Sequence, residues 1–409
     1  MNFFLVSFMF YGFLLLLGPG ALALSSDYTV VSNYFVFDSI SFYLILLILL
    51  LGVVSQLSFS TYLSLSVCFY LFLSIFFSVA SFCVNHSIIF WCFYELSMLP
   101  LLYLIFKESP YSERFLAGWY FACYLLVTSL PLVLLLLYLC ASNNSCFFND
   151  WSKNSVGLWV FIVLSFVFFT KVPLTPFHTW LPIVHAEAAS IVSIFLSGYI
   201  MKLGILGVYR CSCFIFDDYL FGYLFICLVL SIFFLITATS ELDGKRWLAF
   251  LSLAHITIPL FAFFISDYGD INYSFYYCVG HGLSAGLVFG LLWYFYDVSN
   301  SRNWLLLKSS INCSSIMILV ITCLLSLCSL PPTIQFFCEV SLIKISANFL
   351  VYLLFWGVYL FLGGLVPLVM CGHLLIRSEW NEIWECSKFN YFNFLIILCF
   401  WCYVGLIVV

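Results

Sequence analysis

Lys171-Val-Pro173-Leu-Thr-Pro176 interrupts an apolar stretch with a cation and two prolines, and Leu330-Pro331-Pro332-Thr333 interrupts another nine residues before Glu339. Proline removes a backbone donor, so each break frees carbonyls at membrane depth. Such breaks persist only where they are buried in protein or line a wet cavity. Pro-interrupted helices in corresponding places of two halves are the sequence pattern of an inverted-repeat transporter. A plain helix kink is the alternative for either break taken alone. A buried charge beside each, Lys171 at the first and Glu339 at the second, weighs against it.

The chain around these breaks is membrane protein throughout. Of its 409 residues 65% are hydrophobic and 8% charged, with 49 Phe and a mean hydropathy of +1.17. Soluble domains carry roughly 25% charged residues, so a water-exposed globular fold is excluded. Spanning helices need about 20 apolar residues. Apolar windows fall near 3–24, 38–58, 61–84, 87–106, 115–140, 157–181, 186–209, 218–239, 246–266, 271–297, 311–345, 350–376 and 390–409. The expectation is an all-α polytopic membrane protein of about 13 transmembrane helices. Residues 1–24 carry no basic residue ahead of the apolar run and are read as a first transmembrane helix, not a signal peptide.

Loop charge tests this map. Loops after even-numbered windows hold Lys107, Arg114, Lys245, Arg246, Arg302, Lys308, Arg377 and Lys388, and loops after odd-numbered windows hold Lys153 and Arg210. That asymmetry follows the positive-inside rule and places the N-terminus on the positive side and the C-terminus opposite. No basic block suggests nucleic acid. The 18 cysteines scatter through apolar runs as small hydrophobes. Cys211-Ser-Cys213 lacks further ligands at zinc spacing.

Glu95, Lys171, Lys202 and Glu339 each lie inside a long apolar window. A charge near a bilayer centre costs about 2.5–3.5 kcal/mol on insertion scales, so two acids and two bases there suggest a proton path. Glu95 must pair with a cation or stay protonated, and Lys171 is its natural partner. The pair is open to a structural reading, since breaking a buried ion pair costs about 3–5 kcal/mol. Lys202, in Ser197-Gly-Tyr-Ile-Met-Lys202-Leu-Gly-Ile-Leu-Gly207, sits too far from its helix end for simple snorkelling, and the glycines allow another helix to approach closely. His281 opens His281-Gly-Leu-Ser-Ala-Gly-Leu287; it is either a satisfied core histidine or a bridge between Lys202 and Glu339. His255 is a weaker candidate of the same kind. His178, His185 and Glu187 surround an expected loop, where proton uptake or capping fits better than zinc, because the seven-residue spacing is not a helical metal motif. No dinucleotide, phosphate-loop, haem or iron–sulfur spacing occurs, so no bound redox cofactor or metal is expected.

These motifs in combination resemble a known family. Lys171-Val-Pro-Leu-Thr-Pro-Phe-His178-Thr-Trp-Leu-Pro182-Ile-Val-His185-Ala-Glu187, Met201-Lys202-Leu-Gly204, Phe-Tyr-Glu95-Leu-Ser-Met-Leu-Pro100, Glu113-Arg114 followed by Ala117-Gly118, His281-Gly-Leu-Ser and Leu330-Pro-Pro-Thr-Ile-Gln-Phe-Phe-Cys-Glu339 are similar to the signature of the proton-pumping, antiporter-like subunits of respiratory complex I. The likeness runs from about residue 85 to 345. In that family the last broken helix carries Glu in the chain 4 type and Lys in the chain 2 and chain 5 types, and Glu339 follows the chain 4 pattern.

The resemblance implies two inverted repeats, here 85–210 and 211–345, flanked by helices in 1–84 and 346–409. It implies proton translocation in the mitochondrial inner membrane, driven by quinone reduction elsewhere in NADH:ubiquinone oxidoreductase. Glu95 and Lys171 would form the charged pair, Lys202 the central relay, His281 part of the polar axis and Glu339 the terminal site. NADH, FMN, Fe–S clusters and ubiquinone would belong to other subunits. The partners would be lipids and the neighbouring chains 2 and 5. The sequence departs from the family in having thirteen windows against fourteen helices, in Ile183 where a basic residue is usual, and in Ala189 where proline is usual. A stand-alone cation/proton antiporter and a structural membrane scaffold are the competing readings.

Overall fold

A computed structural model describes residues 30–151, 156–212, 220–265, 271–307, 311, 314–376 and 389–405. The expected helix at 3–24 and the basic residues Lys153, Lys308, Arg377 and Lys388 lie outside these described residues. After a short antiparallel pair, β1 (Val30–Val31) with β2 (Val36–Phe37), the regular elements among the described residues are helices. In order come α1 (Ser39–Ser58), α2 (Leu65–Cys83), α3 (Ser87–Glu108), α4 (Arg114–Asn143), α5 (Leu158–Lys171), α6 (Trp180–Glu187) and α7 (Ser190–Ser212). There follow α8 (Phe221–Ser240), α9 (Gly244–Ile265), α10 (Asn272–Ser299), α11 (Ser314–Leu327), α12 (Ile334–Ser346), α13 (Leu350–Leu375) and α14 (Phe389–Val404). Among the described residues nine helices are long and apolar enough to cross a membrane, and α5, α11 and α14 are shorter apolar helices. The chain is a multi-pass membrane protein.

Helix starts follow ordinary capping chemistry. Asp38 accepts from the Ser41 amide at 2.8 Å at the head of α1, and Ser64 and Thr333 do the same for α2 and α12 through Val67 and Phe336. His86 caps α3 with its ring nitrogen, accepting from Ile89 N. One widened turn lies in each of α1 (Leu49–Val53), α4 (Cys123–Val127) and α7 (Leu196–Ile200). Such π turns leave carbonyls free for other donors and recur at functional sites.

The described chain falls into two compact units. One takes the chain up to Trp180 together with Glu187–Val192 and Tyr199–Gly222, and the other takes Leu181–Ala186, Ser193–Gly198 and the chain from Tyr223 onward. In the first, α2 packs along α3, and the Met201–Ser212 part of α7 packs on α5. In the second, α10 packs against α9, α12 and α14. Helices α1, α9 and α10 are enclosed over 94%, 83% and 94% of their apolar windows, whereas α4, α8 and α13 are enclosed over only 33–39%. The outer faces of those three, with Leu134, Phe233 and Phe361 exposed, suit acyl chains.

The glycines near Lys202 work as the sequence suggests. A Cβ on Gly207 would lie 2.3 Å from Phe168 Cε1, and one on Gly204 would lie 2.6 Å from Val172 Cγ2. Phe168 and Val172 are fully buried and have no room to yield. Gly207→Ala is therefore expected to cost roughly 1–3 kcal/mol by overpacking. The check is a lower thermal midpoint of the solubilised protein; an unchanged midpoint contradicts the tight α5–α7 seam.

Both breaks appear where the prolines put them. At the first, α5 ends at Lys171 and the chain re-enters helix at Trp180. The freed carbonyls are satisfied locally: Phe168 O accepts from Val172 N, Phe169 O from Leu174 N, and Thr170 O from the Trp180 indole at 3.0 Å. At the second, α11 ends at Leu327 and Thr333 caps α12. Several placements differ from expectation: Lys107, Lys245 and Arg246, expected in loops, lie within helices. His185 and Glu187 lie on the helix Trp180–Glu187, not around a loop, because Pro182 falls in the first turn, where its missing N–H costs no hydrogen bond. Arg210 likewise sits in the last helical turn of α7 and not in a loop; it pairs with Asp38 at 3.3 Å and also donates to Phe82 O.

Candidate functional site

In the first unit the break brings Lys171 to the end of α5, where its Nζ donates to Glu95 Oε1 at 3.1 Å and to the Leu125 carbonyl at 2.9 Å. Leu125 belongs to the π turn of α4, whose irregular bonding makes that carbonyl available. The ammonium also lies 4.9 Å from the centroid of the Tyr94 ring, a favourable cation–π position. The Lys171 side chain is 1% exposed and that of Glu95 11%. Glu95 Oε2 has no hydrogen-bond partner among the described residues. Glu95 also lines a small apolar pocket with Met98, Leu99, Phe121, Leu125 and Leu126. One oxygen is committed and the other is buried without a partner among the described residues, the kind of unsatisfied group that calls for a functional explanation. The expected Glu95–Lys171 pairing is present.

Lys202 is fully buried in α7, two residues before Gly204. In the same unit Tyr199, on the π turn just before it, bonds Ser74 of α2 at 3.1 Å, and Ser74 in turn donates to Ser97 O of the Glu95-bearing helix α3. His178 is half-buried in the turn Phe177–Thr179 after the break. Glu187 is buried, and its backbone carbonyl accepts from the Ser109 hydroxyl. His185 belongs to the second unit, where its ring stacks on Phe289 with centroids 5.0 Å apart. Among the described residues no group of three or more His, Cys, Asp or Glu is placed to hold a metal.

The second unit holds a buried polar cluster centred on Glu339 of α12. Glu339 Oε1 accepts from Ser329 Oγ at 3.0 Å, Gln335 Nε2 at 3.2 Å and the Tyr277 hydroxyl at 3.3 Å. His255 of α9 joins it through Nδ1, which lies 2.7 Å from the Tyr359 hydroxyl, 3.0 Å from that of Tyr277 and 3.2 Å from Gln335 Nε2. The rings of His255 and His281 are 5.4 Å apart, so His281 of α10 adjoins the same cluster. Glu339, His255 and His281 are each 1–2% exposed. The close approach of α10 to α12 depends on Gly280, where a Cβ would fall 2.9 Å from Gln335 N. The structure therefore groups His255, His281 and Glu339, and makes His255 a closer neighbour of Glu339 than its sequence context suggested.

Sequence reading passed over Ser329, Gln335, Tyr277 and Tyr359. Two carried a usable signal. Gln335 precedes Glu339 by four residues, and Tyr277 precedes His281 by four, which puts each pair on one helix face.

Known proteins resemble this chain over most of its length. It is 30% identical over 287 residues to the NADH-ubiquinone oxidoreductase chain 4 of Rhipicephalus sanguineus, covering 68% of this chain and 66% of that protein. It is 28% identical over 396 residues to that of Locusta migratoria, covering 92% and 87%. Among solved structures it resembles a chain of respiratory complex I from Thermus thermophilus, with a TM-score of 0.80 at 17% identity over 95% of this chain and 88% of that one. It also resembles a chain of the Mrp complex of Dietzia, with a TM-score of 0.76 at 14% identity over 91% and 82%. Residues 84–364 match the family described as NADH:quinone oxidoreductase/Mrp antiporter, TM, and they contain both broken helices and all five of the buried groups Glu95, Lys171, Lys202, His281 and Glu339. With the fold, the breaks and the buried charges in agreement, the chain belongs to the NADH:quinone oxidoreductase/Mrp antiporter family of membrane subunits.

Proposed function

We propose that this chain is a proton-translocating membrane-arm subunit of NADH:ubiquinone oxidoreductase, working in the mitochondrial inner membrane beside the neighbouring chains 2 and 5. Its relatives carry the chain 4 name. Segments 85–210 and 211–345 act as the two antiporter-like repeats, each with one half-channel. Electron transfer from NADH to ubiquinone, through FMN and Fe–S clusters, takes place in other subunits. This chain supplies the proton path.

The observation that carries this reading is the pair of buried charged constellations, Glu95–Lys171 and the Glu339 cluster, one in each unit. Lys202 takes up a proton. The Glu95–Lys171 pair sets the electrostatic field along that uptake route. An opposite charge a few ångströms away favours the charged form of a group, so opening or closing the pair changes what a nearby cation experiences. His281 and His255 pass the proton to Glu339, which releases it or sends it on. His178, His185 and Glu187 serve proton uptake.

The test is a native gel of solubilised inner membranes, probed for this chain and stained for NADH dehydrogenase activity. Comigration with the large active band is the expected result. Migration as a small separate species, with sodium-dependent transport by the isolated chain, overturns it in favour of a stand-alone antiporter, the other kind of protein that the family's description names.

A further inference from the structure

Tyr359 lies on α13, beyond the second repeat and outside every group assigned to the proton path above. Its hydroxyl nevertheless makes the shortest contact in the terminal cluster, 2.7 Å to His255 Nδ1. Its ring is held firmly: it stacks on Phe355 at 5.4 Å and meets Trp356 edge-on at 5.8 Å, while the Trp356 indole is anchored by Ser346 Oγ at 3.0 Å. Tyr359 is 1% exposed, so its hydroxyl has no bulk water to turn to.

We propose that Tyr359 is a positioning residue of the proton path: by donating to His255 Nδ1 it fixes which ring nitrogen carries the proton and leaves the Tyr277 hydroxyl free to donate to Glu339. The inference rests on the reading of Glu339 as the terminal site. The argument is a count of protons. A tyrosine hydroxyl has one proton to give, and a neutral imidazole has one acceptor nitrogen. The Tyr277 hydroxyl lies within reach of three acceptors, His255 Nδ1 at 3.0 Å, Glu339 Oε1 at 3.3 Å and the Tyr359 oxygen at 3.3 Å. It can serve only one of them at a time, and once Nδ1 is taken the carboxylate makes the stronger, charge-assisted bond of the two that remain. With Tyr359 donating to Nδ1, the neutral ring carries its own proton on Nε2, and Tyr277 is released to the carboxylate. Nε2 is buried and has no hydrogen-bond partner among the described residues, so that proton is not committed elsewhere. Without the Tyr359 hydroxyl, Nδ1 competes with Glu339 for the Tyr277 proton and for the N–H groups of Gln335.

The test compares Tyr359→Phe with Glu339→Gln in the assembled complex. Pumping and quinone-coupled turnover are normalised to NADH oxidation by an artificial acceptor, so a smaller amount of complex does not count as a defect. Phe keeps the ring and its packing and removes only the hydroxyl. The expected result is a roughly tenfold fall in coupled pumping, the upper end of what one lost neutral hydrogen bond supplies. A second readout is the carboxyl band in the redox-difference infrared spectrum that disappears in E339Q; in Y359F this band should shift. A purely structural tyrosine would move neither readout per assembled complex. Unchanged pumping and an unmoved band in Y359F, with pumping lost in E339Q, overturn the role of Tyr359 alone. Loss of assembly in Y359F overturns it as well, by making the hydroxyl structural. Retained pumping in E339Q, or no band that depends on Glu339, overturns the terminal-site reading beneath it.

Discussion

Lys202→Met is expected to abolish proton translocation while leaving the subunit assembled. Methionine matches the lysine stem in length and flexibility and fills the same space, so the α7 packing built around Gly204 and Gly207 survives. What is lost is the only atom of that side chain able to take up and release a proton. Lys202 is fully buried, so bulk water does not reach its ammonium to take over the transfer. General acid–base groups contribute about 10²–10⁴-fold, so at least a hundredfold fall in NADH-driven acidification of sealed vesicles is expected. Electron transfer from NADH to an artificial acceptor, which bypasses the membrane path, should be unchanged. A native gel reports assembly on the same samples. If the complex fails to assemble, Lys202 is a structural cation; if pumping persists, the relay runs elsewhere.

The contrast between Lys202 and the aromatic groups of the terminal cluster shows what a sequence of this kind reveals. Charges inside apolar windows stand out because each costs free energy that must be recovered somewhere, so Glu95, Lys171, Lys202 and Glu339 identify themselves. The Glu95–Lys171 contact follows for the same reason, since each is the other's cheapest neutraliser. Both helix breaks are readable from proline chemistry alone. Tyrosine carries no such signal. The chain has 26, most are ordinary membrane aromatics, and nothing in local sequence separates Tyr359 from the rest, because its partner His255 lies 104 residues away. The π turn that offers Leu125 O to Lys171 is also invisible, since it depends on packing and not on composition. Helix α6 was obscured by Pro182, which reads as a breaker until its place in the first helical turn is known.

Whether the Glu95–Lys171 pair serves structure or proton movement is decided by removing its two charges separately and together. Lys171→Met leaves the Glu95 carboxylate with no cation, in a site where that side chain is 11% exposed. Leaving one partner of a buried pair uncompensated costs about 3–5 kcal/mol, so poor assembly of this single variant is expected. The same change also takes the stronger donor from the Leu125 carbonyl of the π turn, leaving it the Thr128 hydroxyl at 3.3 Å. Glu95→Gln with Lys171→Met removes both charges while approximately keeping volume. Such double neutralisation of a buried pair is commonly neutral or stabilising, so assembly should return to near the unsubstituted level on a native gel. If the pair were only structural, pumping would return with assembly. The proton-path reading predicts that it does not: the fully assembled double variant should oxidise NADH with an artificial acceptor at the normal rate yet translocate protons at least about tenfold more slowly, because no pair remains to change the field along the uptake route. The two readings thus agree on the single variant and part on the double one. That divergence follows from the geometry, in which Lys171 bonds a carboxylate that keeps its second oxygen uncommitted beside a pocket. A pair built for stability alone gains nothing from leaving that oxygen unsatisfied, whereas an oxygen left free to receive a proton is in keeping with a carboxylate that exchanges one.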